Sequence, residues 1–315
     1  MDINDFKTLL EEELNKKLKE NERLRFTEVR KNNGILLNGV SVLSGSKKIT
    51  PTVYIEEHFH SYTEGKPLEE IAAEILKLCR KGGMGVRFDI ESFSDFEKAK
   101  KRIVFKLINT EKNRELLQEI PGIPFLDLTM VFYYLLGERK ACRASILIRN
   151  EHVKNWGVDT QTLYAAAKKN LPLLLPVETI DMKSMMLEIL KDELSGCENG
   201  QELKALCESG LPGENENDGV SMYVMTNREK YFGAAGIACA DAIKNAAEKI
   251  RSDLYILPSS VHEVILLPAS SDLDPKRLKD MVRDVNQTQV SPDEVLSDSV
   301  YLYSREKKDF RIVCA

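Results

Sequence analysis

A chain of 315 residues, 43% hydrophobic and 30% charged, has enough apolar side chain for roughly two or three compact domains and is too apolar for general disorder. A net charge of −5 argues against a protein whose main task is neutralising phosphates. No apolar run reaches the ~20 residues that cross a bilayer, and the acidic start Met1-Asp2-Ile3-Asn4-Asp5-Phe6 is unlike a signal peptide. Six cysteines (Cys79, Cys142, Cys197, Cys207, Cys239, Cys314) lie far apart without a C-x-x-C, which fits reduced thiols and a soluble, cytoplasmic setting with no membrane partner.

Ile3, Phe6, Leu9, Leu10, Leu14 and Leu18 recur at helical spacing and predict an amphipathic first helix. Arg23 to Arg30 and Ile35 to Leu43 predict two strands, joined where Asn33-Gly34 supplies the positive φ angles of a hairpin turn. Thr50 before Pro51 reads as an N-cap and first helical position, with Gly65 closing that helix. Pro67 opens another, whose stripe runs Leu68, Ile71, Ala72, Ile75, Leu76, Cys79. Residues 1–95 are thus expected to form an N-terminal α/β unit.

Residues 96–195 are expected to form a middle α+β unit. Strands fall at Arg102 to Asn109, Leu128 to Leu136, Ala144 to Arg149 and Leu171 to Val177, and helices at Glu111 to Ile120, Thr160 to Asn170 and Met182 to Leu194. Residues 196–219, with Leu211-Pro212-Gly213 and the acidic run Glu214 to Gly219, read as a linker or long loop. Residues 220–315 then follow a ββαββα order. Strands are predicted at Met222 to Thr226, Gly233 to Cys239, Leu254 to Leu257 and Val261 to Leu267, helices at Asp241 to Ile250 and Pro275 to Val285, and a last strand at Val300 to Tyr303. A weak echo links Asn150…Trp156-Gly157 with Asn227…Phe232-Gly233, each leading to an alanine-rich helix and an apolar strand ending in proline. The fold class is therefore mixed α/β (α+β), with consecutive small sheets and packed helices.

Several stretches resemble an uncharacterised bacterial family, a domain of unknown function, over nearly the whole chain. They are Trp156-Gly157-Val158 with Leu163-Tyr164 and Ala167 to Pro172, the Asn109…Asn113…Asp127-Leu128 spacing, Tyr223 to Asn227, and Leu257 to Glu263. The middle part is similar to a second such family. The resemblance implies a bacterial protein and carries no activity, cofactor or catalytic residue.

One stretch concentrates chemistry, Leu254 to Pro268, where two apolar runs flank Ser259-Ser260-Val261-His262-Glu263. On an extended backbone Ser260 and His262 share a face while Glu263 turns away, so a Ser260–His262 hydrolase pair supported by Ser259 and Glu263 is one reading. It lacks the G-x-S-x-G elbow. The competing reading is a turn in which Pro258 sets φ, the hydroxyls satisfy backbone groups, and His262 bonds a neighbour.

Other motifs favour plain structural roles. In the helix expected at Glu56-Glu57-His58-Phe59-His60, residues two apart differ by ~200° about the axis, so His58 and His60 cannot share a metal. His58 sits instead between Tyr54 and Tyr62 at helical spacing. Gly82-Gly83-Met84-Gly85 follows a helix, the reverse of a phosphate-cradling loop, and Asp272-Leu273-Asp274-Pro275 reads as an N-cap. Trp156 reads as a core anchor rather than a base-stacking ring, and Ser270-Ser271 as a cap. No cofactor or metal is expected.

The composite expectation is a non-enzymatic binding or regulatory protein with an unidentified protein or small-molecule ligand. The alternatives are the hydrolase or other small-molecule enzyme centred on Ser260 and His262, and a weak nucleic-acid binder using Lys98, Lys100, Lys101 and Arg102.

Overall fold

The computed structural model describes residues 1–44, 50–81, 89–136, 145–186, 221–269 and 273–314. Among them every paired strand is antiparallel, the strands form three sheets, and helices pack against them, so the fold is α+β. Two compact units separate: Met1–Asp89, and Ile90–Leu135 together with Ser145–Ala315. The glycine run 82–85, Ser270-Ser271, Asp272, the 196–219 segment, the end of the 182–194 helix, and Cys142, Cys197 and Cys207 lie outside the described residues.

In the first unit, α1 (Ile3–Asn15) starts where Asp2 accepts the N–H groups of Asn4 and Asp5 at 2.8 and 2.9 Å, while Asp5 returns the bond in a capping box. Its buried face, Phe6, Leu10 and Leu14, recurs every four residues and meets Ile71, Ala72, Ile75, Leu76 and Cys79 of α3 (Leu68–Lys81). Each such burial stabilises by roughly 1.5–3 kcal/mol, and Phe6→Ala is expected to cost about 3–5. Strands β1 (Glu22–Arg30) and β2 (Leu36–Ser44) pair in register across the expected turn, with φ +60° at Asn33 and +72° at Gly34.

One element here departs from its sequence signal. Thr50-Pro51 does not open a helix; Val53–Tyr54 forms β3 on β2, and α2 (Glu56–Thr63) begins after it. The pairing of Val53 with Val40 and of Tyr54 with Gly39 supplies backbone partners that a helix start at Pro51 would forgo. The Thr52 methyl also crosses Gly39, where a Cβ would approach to 2.3 Å.

The second unit carries two sheets. After α4 (Ile90–Ser94) and α5 (Phe96–Ala99) come β4 (Ile103–Asn109), β5 (Gly122–Phe125), β6 (Leu128–Leu135) and β7 (Ser145–Leu147), ordered β4-β6-β5 with β7 also on β6. Then follow α6 (Asn150–Trp156), α7 (Thr160–Leu174), β8 (Val177–Asp181), β9 (Tyr223–Asn227), α8 (Ala240–Ile250), β10 (Leu254–Leu257), β11 (Val264–Pro268), α9 (Pro275–Thr288), β12 (Val300–Ser304) and β13 (Asp309–Cys314). The large sheet runs β13-β12-β10-β11-β9-β8. One hydrophobic cluster joins β4, β6 and α7 to α8, β10, β11 and β12, so the side chains of residues 103–175 and 225–303 share a core.

Four local differences have identifiable causes. Residues 111–120 form turns and one 3₁₀ segment, Leu116–Gln118, because Asn109 and Asn113 side chains bond nearby backbone and compete with a helix. The apolar run 171–177 continues α7 to Leu174 before β8 starts, an ambiguity that periodicity cannot resolve over so short a stretch. Residues Gly233–Ala238 are a 3₁₀ segment, not a strand, packed so closely that a Cβ on Gly236 would lie 2.7 Å from Val177 and 2.9 Å from Met225. Strands β5 and β13 carry no clear sequence signal, and Pro124 is tolerated in β5 because β5 is an edge. The sequence echo also has two conformations: Asn150–Trp156 is a helix closed by left-handed Gly157, whereas Asn227 to Phe232 is a loop.

Candidate functional site

After β10, Pro258 releases the chain, and Ser259 to Val261 runs beside Glu294 to Ser297. Val261 N–H donates to Glu294 O, Leu296 N–H to Ser259 O and Ser297 N–H to Pro258 O, each at 2.9 Å. Ser259 and Ser260 are thereby buried, at 7% and 4% exposure. The Ser260 hydroxyl accepts the backbone N–H of His262 at 3.1 Å, so these two residues meet through the turn rather than through the imidazole.

The His262 ring is engaged at both nitrogens. Nδ1 accepts the N–H of Phe232 at 3.3 Å, which places the proton on Nε2, and Nε2 lies 3.2 Å from Glu294 Oε1. The acid beside the ring therefore comes from 32 positions along the chain, which nothing in the local sequence signals. Glu263 has a different environment: burial pushes its carboxyl above the ordinary range, His262 opposes that shift, and Glu294 adds to it.

His262 holds up a strained loop. Thr226 Oγ1 donates to His262 O at 2.9 Å, and the buried Asn227 accepts the N–H groups of Glu229 and Tyr231 while donating to Tyr231 O. Lys230 and Phe232 both adopt left-handed backbone, φ +47° and +57°, which is costly for side chains of this size. Gly233 follows by necessity, since a Cβ there would come within 2.3 Å of His262 O.

The loop presents an aromatic group. Phe232 lies parallel to the His262 ring at 6.2 Å, Tyr231 stacks on Phe232 at 3.8 Å, and Tyr133 of β6 tilts against Phe232 at 5.1 Å. Lys106 of β4, only 8% exposed, places its ammonium 4.8 Å from the centroids of both Tyr133 and Phe232. The Tyr231 hydroxyl reaches Ser145 Oγ at 2.9 Å, and burial drives the Tyr133 phenol well above its usual range. Lys106 and Tyr133 read in sequence as ordinary strand residues; tertiary packing alone gathers them. Phe232, 6% exposed, and Lys106 are enclosed by the neighbouring rings, and the His262–Glu294 pair is the partly exposed part of the assembly.

A second polar cluster holds the same Glu294 to Tyr301 strip. Asp127, at the tight β5–β6 turn after left-handed Leu126, accepts Ser297 Oγ–H at 2.6 Å, Ser299 Oγ–H at 2.9 Å and the Tyr301 hydroxyl. Asn109 adds a bond from Nδ2 to Leu296 O at 2.9 Å, and Asn113 braces Asn109. The Asn109…Asn113…Asp127 spacing in the sequence is thus a set of contacts with Leu296 to Tyr301. Burial and the adjacent Asp127 carboxylate push the fully buried Tyr301 phenol far up.

The remaining candidates are dispersed. His58 is half-buried in α2 with its pKa lowered by burial, while His60 is exposed beside Glu64 at 3.3 Å; Tyr54 lies in β3, outside that helix. Lys98, Lys100, Lys101 and Arg102 span α5 and a 3₁₀ turn, where Lys100 pairs with Glu97 and the Lys100 and Ile103 carbonyls accept Asn170 Nδ2. Trp156 donates Nε1–H to Phe93 O at 2.9 Å and packs among Phe93, Phe96 and His152. Among the described residues no helix is long and apolar enough to cross a membrane.

A model of a family of unknown function (DUF5688) matches residues 3–305, nearly the whole chain, and the chain belongs to that family. No curated protein and no solved structure matches it.

Proposed function

We propose that this member of a family of unknown function acts by binding, as a soluble cytoplasmic binding or regulatory protein, with the Tyr231–Phe232 loop and its surroundings as the contact site. The observation that carries the reading is the engagement of both His262 nitrogens, one with the backbone of the loop and one with Glu294. An imidazole so held positions the aromatic loop, and a buried Ser260 hydroxyl bonded to backbone is poorly placed to attack a substrate. The cytoplasmic assignment rests on the scattered cysteines. Cys79, Cys239 and Cys314 are free thiols, and burial raises Cys79 and takes Cys239 to about 11, which keeps both unreactive.

The hydrolase reading has one observation in its favour, the carboxylate that Glu294 brings to the imidazole. A single experiment separates the two. Turnover of p-nitrophenyl esters and phosphate esters is measured for the wild-type chain, Ser260→Ala and His262→Ala, with the melting temperature of each. The binding reading expects no turnover that either substitution removes, and a lowered melting temperature for His262→Ala. Turnover abolished by both substitutions, with melting temperatures unchanged, would replace it with the hydrolase.

A further inference from the structure

A cleft of about 400 Å³ opens between the C-terminal half of α8 and the β12–β13 hairpin, lined by Lys244, Ala247, Glu248, Asp253, Tyr303, Arg305, Glu306 and Lys308. It shares no residue with the His262 site, and its size falls in the range of small-molecule sites.

The lining is unusual in its balance, with three cationic and three carboxylate side chains. Some of these charges are already engaged. Lys244 lies 3.7 Å from Glu248, and one Asp253 oxygen accepts the Arg305 backbone N–H at 2.9 Å, which anchors the hairpin to the loop after α8. The Arg305 guanidinium, the Lys308 ammonium and the Glu306 carboxylate make no ion pair with any described residue. Lys308 is held at the rim by a left-handed backbone, φ +54°, and its N–H bonds Ser304 O at 2.8 Å.

The second observation is at the wall. Tyr303 is 3% exposed, its ring packs on Phe310 at 4.9 Å, and its hydroxyl makes no hydrogen bond with any described residue. The ring is buried while the hydroxyl reaches the solvent of the cleft it lines, so the phenol is a donor that a ligand acceptor can take over from water. Burial, then Glu248 and Asp309, push its pKa up, so it remains protonated across the physiological range.

We propose that this cleft binds a small zwitterion of amino-acid or dipeptide size, its carboxylate held by Arg305, Lys308 and the Tyr303 hydroxyl and its ammonium by Glu248 and Glu306. The guanidinium fork and phenol supply directional donors for a carboxylate. The carboxylates on the same rim repel a multiply charged anion such as phosphate, so charge balance selects a ligand carrying both signs.

The test is calorimetric titration of the full chain with glycylglycine, N-acetylglycylglycine, glycylglycinamide and inorganic phosphate. Glycylglycine is expected to saturate with Kd below about 1 mM, and each of the other three to bind about tenfold or more weakly, because each lacks one of the two charges or carries an excess. Arg305→Gln should weaken glycylglycine about tenfold, and Tyr303→Phe a few-fold with the melting temperature retained, since the ring packing stays. Saturation by no ligand up to about 10 mM, equal binding of the acetylated dipeptide or phosphate, or a Kd indifferent to Arg305→Gln overturns the proposal. Ester turnover tests the His262 reading and does not enter this one, so either can fail alone.

Discussion

Two polar clusters hold the strip Glu294 to Tyr301, and they are built in opposite ways. At Asp127, one carboxylate beside a single left-handed residue, Leu126, collects three hydroxyls, and every donor residue is buried. At His262, a partly exposed imidazole spans a backbone N–H and a carboxylate, beneath a loop with two left-handed non-glycine residues. The first arrangement is closed and serves the fold. The second combines partial exposure with backbone strain, which is the ground for the contact site proposed there.

The comparison breaks or sharpens on stability measurements, ordered by size of effect. Asp127→Ala removes the acceptor for three hydroxyls, one of them on the fully buried Tyr301, and should cost about 3–5 kcal/mol in urea unfolding. A cost below about 1 kcal/mol would show that the cluster is not structural. Gly233→Ala drives a methyl into His262 O and Thr226 and should cost about 1–3 kcal/mol or more, through the same loop.

His262→Ala loses the partners of Phe232 N–H and Glu294 and should cost about 1–2 kcal/mol, clearly less than Asp127→Ala. Equal costs would erase the distinction between frame and site. Hydrogen exchange at Phe232 should rise in that variant while exchange in β12 stays slow.

The smallest effect concerns pH. Burial holds the Glu263 pKa above its unfolded value, so the folded state binds more protons between the two values and stability falls as pH rises through that window. Glu263→Gln should therefore raise the melting temperature at pH 7 and leave it unchanged below the unfolded pKa of about 4.3. His58 has the other sign: burial lowers its pKa, so stability is lost as pH falls through about 6.5, and His58→Gln should flatten that loss. A variant of either residue with an unaltered pH profile would remove burial as the cause.

Much of the architecture was legible because it is local. The four-residue recurrence of Phe6, Leu10 and Leu14, the Asn33-Gly34 turn and the Asp274-Pro275 helix start each depend on neighbours a few positions away. The Ser259 to Glu263 turn was also visible as a concentration of polar side chains, together with both of its readings. What failed locally was the choice between extended and helical backbone for small or ambiguous runs, at Gly233 to Ala238 and at Leu171 to Leu174.

The sequence by itself determined the class, most of the elements and the positions of the chemistry-bearing residues, because propensity, capping and periodicity act over a turn of chain. Only the tertiary structure decided which of them meet. Glu294 reaches His262, Asp127 reaches Ser297, Ser299 and Tyr301, and Lys106 reaches the Phe232 ring across separations of 32, more than 160, and more than 100 residues respectively. Such pairings depend on how sheets and loops bury their apolar faces together, a property of the whole packed core that no local stretch encodes.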